Sequence, residues 1–168
     1  MPIDVFLSVG RTATPEQEKF IEAVQDFLRV QGLNPRTVGR TDFTTDKPLK
    51  IILDIMRTCR GTVIVAFERI HVTDGIELPG GEQAVALDNI SLPTVWNQIE
   101  AGIAYALGHP LLAIAESRLR DEGFLEKGYD WFVEWVDLSV ASLQEPNFIV
   151  AFEAWKKCVE ATRIQANG

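Results

Sequence analysis

The chain has 168 residues and 18.8 kDa, 46% hydrophobic against 24% charged, the composition of one ordinary globular domain rather than of a disordered or fibrous protein. Sixteen Lys and Arg against 24 Asp and Glu give a net charge of −8 and a pI near 4.8, so long-range repulsion disfavours polynucleotides and anionic membranes as partners. A local basic patch for a small anion remains compatible with that total.

Ile3 to Val9 is a short run of apolar β-formers, and Thr14-Pro15-Glu16-Gln17 after it reads as a capping box with proline at the first helical position. Phe20, Val24, Phe27 and Leu28 then recur at helical spacing until Gly32 stops the helix. Asn34 to Val38 reads as a second strand. A second helix runs from about Pro48 to Arg60, with Leu49, Ile52, Met56 and Cys59 on one face, and ends at Gly61. Thr62 to Phe67 is almost wholly apolar, as a central parallel strand covered on both faces must be. Glu68 to Pro93 is a long, polar, glycine-rich connection of the kind that often binds ligands.

A third helix is expected over Thr94 to Leu107, then a buried strand over Pro110 to Ala115, a charged connection over Asp121 to Tyr129, an edge strand over Trp131 to Leu138, and a closing helix over Pro146 to Arg163. In that last helix Phe148, Phe152, Trp155 and Val159 point inward. Alternating strands and helices predict a single α/β domain over residues 1–168, a flavodoxin-like (Rossmann-like) three-layer sandwich around a central parallel sheet of about five strands.

Cys59 and Cys158 lie in apolar helical runs without a CxxC pair, which predicts reduced core thiols rather than a disulfide framework or a zinc site. Met1-Pro2-Ile3-Asp4 places no basic stretch before its apolar run, and no segment reaches the roughly 18 to 20 apolar residues that span a bilayer. The expectation is a cytoplasmic protein without signal peptide or membrane anchor. His109 is expected at a helix C-terminus, and His71 lies in the long connection without an assigned role.

Open parallel sheets bind ligands at the carboxyl ends of their strands, where the strand order reverses. That rule nominates Ser8, Gly10 and Arg11 after the first strand, Arg36 to Asp42 after the second, Glu68 and Arg69 after the third and Glu116 after the fourth. Neither GxxxxGK[ST] nor GxGxxG follows any strand, so a P-loop enzyme or a dinucleotide dehydrogenase is disfavoured. Ser8 to Thr14 resembles the hydroxyl-rich phosphate loop of a flavodoxin, although a turn and an N-cap explain the same residues. From Arg29 to Arg69 eight basic residues face four acidic ones, so the total of −8 averages a +4 segment and a −12 remainder. Within it Arg36 and Arg40 are candidates to hold a phosphate, with Arg11 or Arg69 joining them, against the alternative of solvated surface charges. Asp42 falls in the same post-strand stretch and is included among the substrate-binding candidates.

The third helix is the most informative segment. Glu100 lies one turn beyond Trp96 and one turn before Ile103, at the margin of an apolar stripe of Trp96, Ile99, Ile103 and Leu107, within two turns of the helix start. Glu100 to Pro110 has the form E-x-G-x-A-x-A-x-G-x-P, and Trp96 to Glu100 has the form W-x-x-x-E. The first pattern resembles the nucleoside 2-deoxyribosyltransferases and the second the TIR-type NAD hydrolases, and Val5-Phe6-Leu7-Ser8 is similar to the first strand of both. The likeness spans Ile3 to Ala115. One departure is that the transferases carry an acid just before the third strand, where this chain has Cys59-Arg60-Gly61, so deoxynucleoside specificity does not carry over.

The resemblance implies cleavage or transfer of an N-glycosidic bond in a nucleotide or NAD-like substrate, with Glu100 as nucleophile or as stabiliser of the oxocarbenium charge. Trp96 would stack on the base, unless it packs in the core, and Asn97 would bond a ribose hydroxyl. No cofactor and no metal are expected. Relatives of this kind work as oligomers, which implies a homo-oligomer, with Trp131, Phe132 and Trp135 as candidate interface aromatics, against the alternative that an edge strand packed on the last helix accounts for them. The alternative reading is a non-catalytic nucleotide sensor or protein-interaction module on the same fold.

Overall fold

The computed structural model describes residues 1–40 and 48–162. Strand β1 (Ile3–Val9) leads into helix α1 (Pro15–Val30). Thr14 caps that helix by accepting from the Gln17 N–H at 3.2 Å, while the Gln17 carboxamide reaches back to the Ala13 N–H at 2.7 Å. Gly32 then takes φ +79°, the left-handed conformation that turns the chain into β2 (Leu33–Arg36). Helix α2 (Pro48–Met56), strand β3 (Thr62–Ala66), helix α3 (Val95–Ala106), strand β8 (Leu111–Glu116), strand β9 (Phe132–Val136) and helix α4 (Pro146–Ala161) complete the sandwich.

The five long strands form one sheet in the order β2-β1-β3-β8-β9, every pairing parallel. Counted along the sheet's own strands this is the flavodoxin-like order 2-1-3-4-5, whose reversal point lies between β1 and β3. Alternate strand residues serve opposite layers. Val5, Leu7, Val63 and Val65 pack against Phe20, Val24 and Leu28 of α1 and Phe148, Phe152 and Trp155 of α4. Phe6, Ile64, Ala66, Ala113 and Ala115 face Ile51, Ile52, Ile55 and Met56 of α2 and Ala101 and Ala104 of α3. The alanines matter here, because small side chains on both sides bring α3 close to the sheet. No helix among the described residues is long and apolar enough to cross a membrane.

Several expectations are corrected. The connection over residues 68–93 is an arm of two antiparallel ladders, β4 (Ile70–Val72) with β7 (Ile90–Leu92) and β5 (Gly75–Glu77) with β6 (Val85–Leu87). Strands of three residues are too short for alternation to reveal. The arm folds back on the core, where the Arg120 guanidinium grips both Glu77 oxygens at 2.7 and 2.8 Å and the Arg120 N–H donates to Ser91 O at 2.9 Å. Strand β2 and helix α2 both end before their expected limits, and the stretch over 121–129 contains a short 3-10 turn, Gly123–Leu125. Leu49 is half-exposed while Ile51 and Ile55 take its inward place. Cys59 is buried but Cys158 is exposed, so only one thiol is a core residue. Trp131, Phe132 and Trp135 are half-buried against the two cores, not open at the surface. His109 does lie at the C-terminus of α3 as expected, its N–H donating to Ala104 O at 3.0 Å, while its ring is turned into the protein with Nδ1 2.9 Å from Thr62 Oγ1, and burial pushes its pKa down.

Candidate active site

Helix α3 starts at Thr94, whose hydroxyl accepts from the Trp96 N–H, and Gly10 of the β1–α1 connection lies directly against that cap. A Cβ on Gly10 would sit 3.0 Å from Thr94 Cγ2, so the absence of a side chain permits this close approach. The helix face expected to be inward is in fact turned. Asn97, Glu100, Ala101 and Ala104 face the sheet, whereas Trp96 and Ile99 are each 41% exposed. The small residues at 101 and 104 are buried in one cluster with Ala66, Ala113 and Ala115, and their size favours this orientation.

Glu100 is therefore buried, at 8% exposure, beside the carboxyl end of β1. Burial pushes its carboxyl up to about 7, against a partial lowering by a hydrogen bond from Ser8. Ser8 is itself buried, and its Oγ accepts from Asn97 Nδ2 at 2.9 Å. Asn97 thus stands behind Ser8, at 1% exposure, with its amide donating inward.

Around Glu100 lies a cleft of about 390 Å³ lined by Val9, Gly10, Arg11, Val38, Pro48, Ile52, Arg69, Thr94 and Trp96. It sits at the reversal point of the sheet, between the ends of β1 and β3. Gly10, Arg11, Arg69, Trp96 and Glu100 are brought together there, with Ser8 and Asn97 immediately behind. Arg11 and Arg69 are exposed and neither has a carboxylate partner among the described residues. Arg36 and Arg40 do not line the cleft. Arg36 Nη1 meets Asp4 Oδ2 at 3.0 Å, and Arg40 is bidentate to Glu18 at 2.7 and 2.8 Å. Hydrogen bonds from Arg40 and Thr12 hold the Glu18 carboxyl down to about 2. Asp42 lies outside the described residues.

The corner that carries Arg69 is fastened by residues nominated only loosely from sequence. Buried Glu116 accepts the Glu68 N–H at 2.7 Å and pairs with the Arg118 guanidinium. The Glu68 carboxylate receives Ser91 Oγ and lies 3.0 Å from His71 Nδ1, which lowers its pKa, while the Arg69 N–H donates to Leu92 O at 2.9 Å. Pro48, Ile52 and Val38 as cleft walls, and Ser8 as the partner of Asn97, had no signal in the chain beyond their position near strand ends and a helix start.

The fold, a Rossmann-like α/β sandwich, is shared with solved structures of low sequence identity. No family model matches the chain and no curated protein matches it. Among solved structures it is similar to the CMP N-glycosidase BcmB of Clostridium botulinum, with 19% identity over 87% of this chain and 98% of that one and a TM-score of 0.52. It also matches a 2-deoxyribosyltransferase from Leishmania mexicana, with 17% identity over 95% of this chain and 98% of that one and a TM-score of 0.48.

Proposed function

We propose that this protein cleaves, or transfers across, the N-glycosidic bond of a nucleotide, with Glu100 as the attacking or charge-stabilising carboxylate. The observation that carries the reading is a buried glutamate, raised to about 7, facing a cleft at the reversal point of the sheet that also presents two arginines and an exposed tryptophan. The CMP N-glycosidase of similar fold supports the same class of bond and a phosphorylated ligand. A cleft of about 390 Å³ falls within the usual range of small-molecule sites.

In this reading Arg11 and Arg69 hold the phosphate through charge-assisted hydrogen bonds and Trp96 stacks on the base. A Glu100 oxygen closes on C1′ as the N-glycosidic bond breaks, and the base leaves with that bond's electron pair. Water then opens the ribosyl ester and restores the carboxylate; overall its hydroxyl ends on C1′ and its proton on the base. With an acceptor base in place of water the same intermediate gives transfer.

Chromatography of base release from a panel of nucleoside monophosphates, nucleosides and NAD tests this. Release from at least one phosphorylated substrate, falling by about 10³-fold or more in Glu100→Gln, is expected for loss of a nucleophile. The departure at Cys59-Arg60-Gly61, where transferases carry an acid, favours a second reading, a nucleotide sensor without turnover. A melting temperature raised by a nucleotide with no base released, and with Glu100→Gln behaving alike, would replace the first reading by the second.

A further inference from the structure

Helix α3 borders a second hollow, of about 500 Å³, that shares no lining residue with the glutamate cleft. Gln98, Gly102 and Tyr105 recur at i, i+4 and i+7 along its helical side, and Phe124, Tyr129 and Trp131 wall it opposite. The aromatic wall is held in place. Tyr129 stacks on Trp131 with ring centroids 4.6 Å apart and planes 10° from parallel, and Tyr105 meets Trp131 edge-on at 5.6 Å. The Trp131 indole N–H donates to Phe124 O at 2.8 Å, the Phe124 N–H to Gln98 Oε1 at 3.3 Å, and the Tyr129 hydroxyl to Glu126 Oε2 at 3.1 Å. Tyr105 and Tyr129 are nevertheless 57% and 51% exposed, so these rings are fixed without being covered. A Cβ on Gly102 would meet nothing within 4 Å, so no neighbour demands glycine at this mid-helix position, where it weakens the helix. What its missing side chain leaves is room in the hollow. Among the described residues Asp130 lines the same hollow without an ion-pair partner, and no Lys, Arg or His lines it.

We propose that this hollow is a second ligand site, one that takes a flat organic cation: a heteroaromatic ring carrying a delocalised positive charge. Aromatic faces attract such a ring through their quadrupoles, and Asp130 supplies the counter-charge. Gln98, whose carboxamide oxygen is already engaged by Phe124, has its NH₂ left to donate to a polar substituent of the guest. A flat guest extends the stack that Tyr129 makes on Trp131, which a tetrahedral ammonium does not. The volume is that of a small-molecule site. The two cavities beside α3 thus select opposite charges, since Arg11 and Arg69 in the glutamate cleft suit an anion while the rings and Asp130 suit a cation. The second site does not depend on turnover at Glu100.

The test is NMR of the full chain with nitrogen-labelled tryptophan, its indole N–H signals assigned by replacing each tryptophan in turn with phenylalanine. The probe is the ring-methylated nicotinamide cation, compared with neutral nicotinamide and anionic nicotinate, which have nearly the same shape. The expected result is a saturable shift of the Trp131 signal by the cation at millimolar concentration, with the Trp96 signal unmoved. Affinity for the cation should exceed that for nicotinamide about tenfold or more, and nicotinate should not bind. Asp130→Asn should remove most of that preference, and Gly102→Leu, which fills the hollow, should weaken binding by about tenfold or more. Should leucine disturb the fold, Gly102→Ala, which suits a helix better than glycine, makes the same comparison. A Trp131 signal that the cation does not move saturably, or equal affinity for all three probes, overturns the proposal. So does movement of Trp96 instead, which would put the probe in the glutamate cleft, or a Trp131 signal that shifts with protein concentration alone, which would make the hollow a contact between copies. Base release judges the glutamate cleft separately, since neither Asp130 nor Gly102 lines it.

Discussion

Glu100 resists ionisation because α3 buries it, and that has consequences for stability as well as for chemistry. Its folded carboxyl titrates near 7 against 4.5 for an ordinary glutamate, so the folded state holds its proton more tightly than the unfolded chain does. The sign follows directly: the contribution to stability is fully present below about 4.5 and is lost as pH rises through about 7. Glu100→Gln, which cannot ionise, is therefore expected to be more stable than the unmodified protein above pH 7, by up to about 3 kcal/mol, with the advantage vanishing toward pH 4.5. Urea melts of both proteins across pH decide the matter, and parallel curves would show that burial does not raise this group. An attacking carboxylate also requires the ionised form, so kcat/KM should rise with pH along a limb centred near 7. At this scale the sequence was legible in part. Glu100 stood out through its flanking pattern, but a helical wheel placed it at the rim of a stripe led by Trp96 and Ile99, because apolar character alone does not register the close packing that favours alanine.

At the scale of elements, the packing of α4 on the start of β3 depends on Gly61. A Cβ there would meet Val159 Cγ2 at 2.6 Å, the Pro110 carbonyl at 3.3 Å and the Trp155 ring at 3.4 Å. Trp155 cannot easily retreat, since it is fully buried and its indole N–H donates to that same Pro110 carbonyl at 3.0 Å. Gly61→Ala should therefore destabilise the fold by roughly 1–3 kcal/mol through overpacking. A denaturant midpoint unchanged within error would contradict it. Strands β1, β3 and β8 and helices α1, α3 and α4 were all readable from runs, caps and glycines, because each is long enough for its period to repeat. The hairpin arm was not, since β4 to β7 owe their existence to pairing with one another and to the Arg120 to Glu77 anchor.

For the whole molecule, the net charge of −8 conceals where positive charge is available. The basic segment from Arg29 to Arg69 is visible in the chain, yet folding commits Arg29 to Asp26, Arg36 to Asp4, Arg40 to Glu18 and Lys50 and Arg57 to Asp54. Of that segment's cations only Arg69 lines the cleft among the described residues, and Arg11 joins it from outside the segment. Replacing Arg11 and Arg69 with alanine should each raise KM for a phosphorylated substrate about tenfold or more with little change in kcat, and should blunt its dependence on salt. Equal effects on the matching nucleoside, which has no phosphate, would show that these arginines do something else.

The sequence by itself determined the alternating α/β order, the parallel sheet and the helix that carries Glu100, because caps, glycines and hydrophobic periods are local signals. Only the tertiary structure decided which arginines remain open to a ligand, which face of α3 turns inward, and that Ser8 and Asn97 stand behind the glutamate. Those outcomes depend on side chains far apart in the chain competing for the same partners and the same space, and local spacing carries no record of that competition.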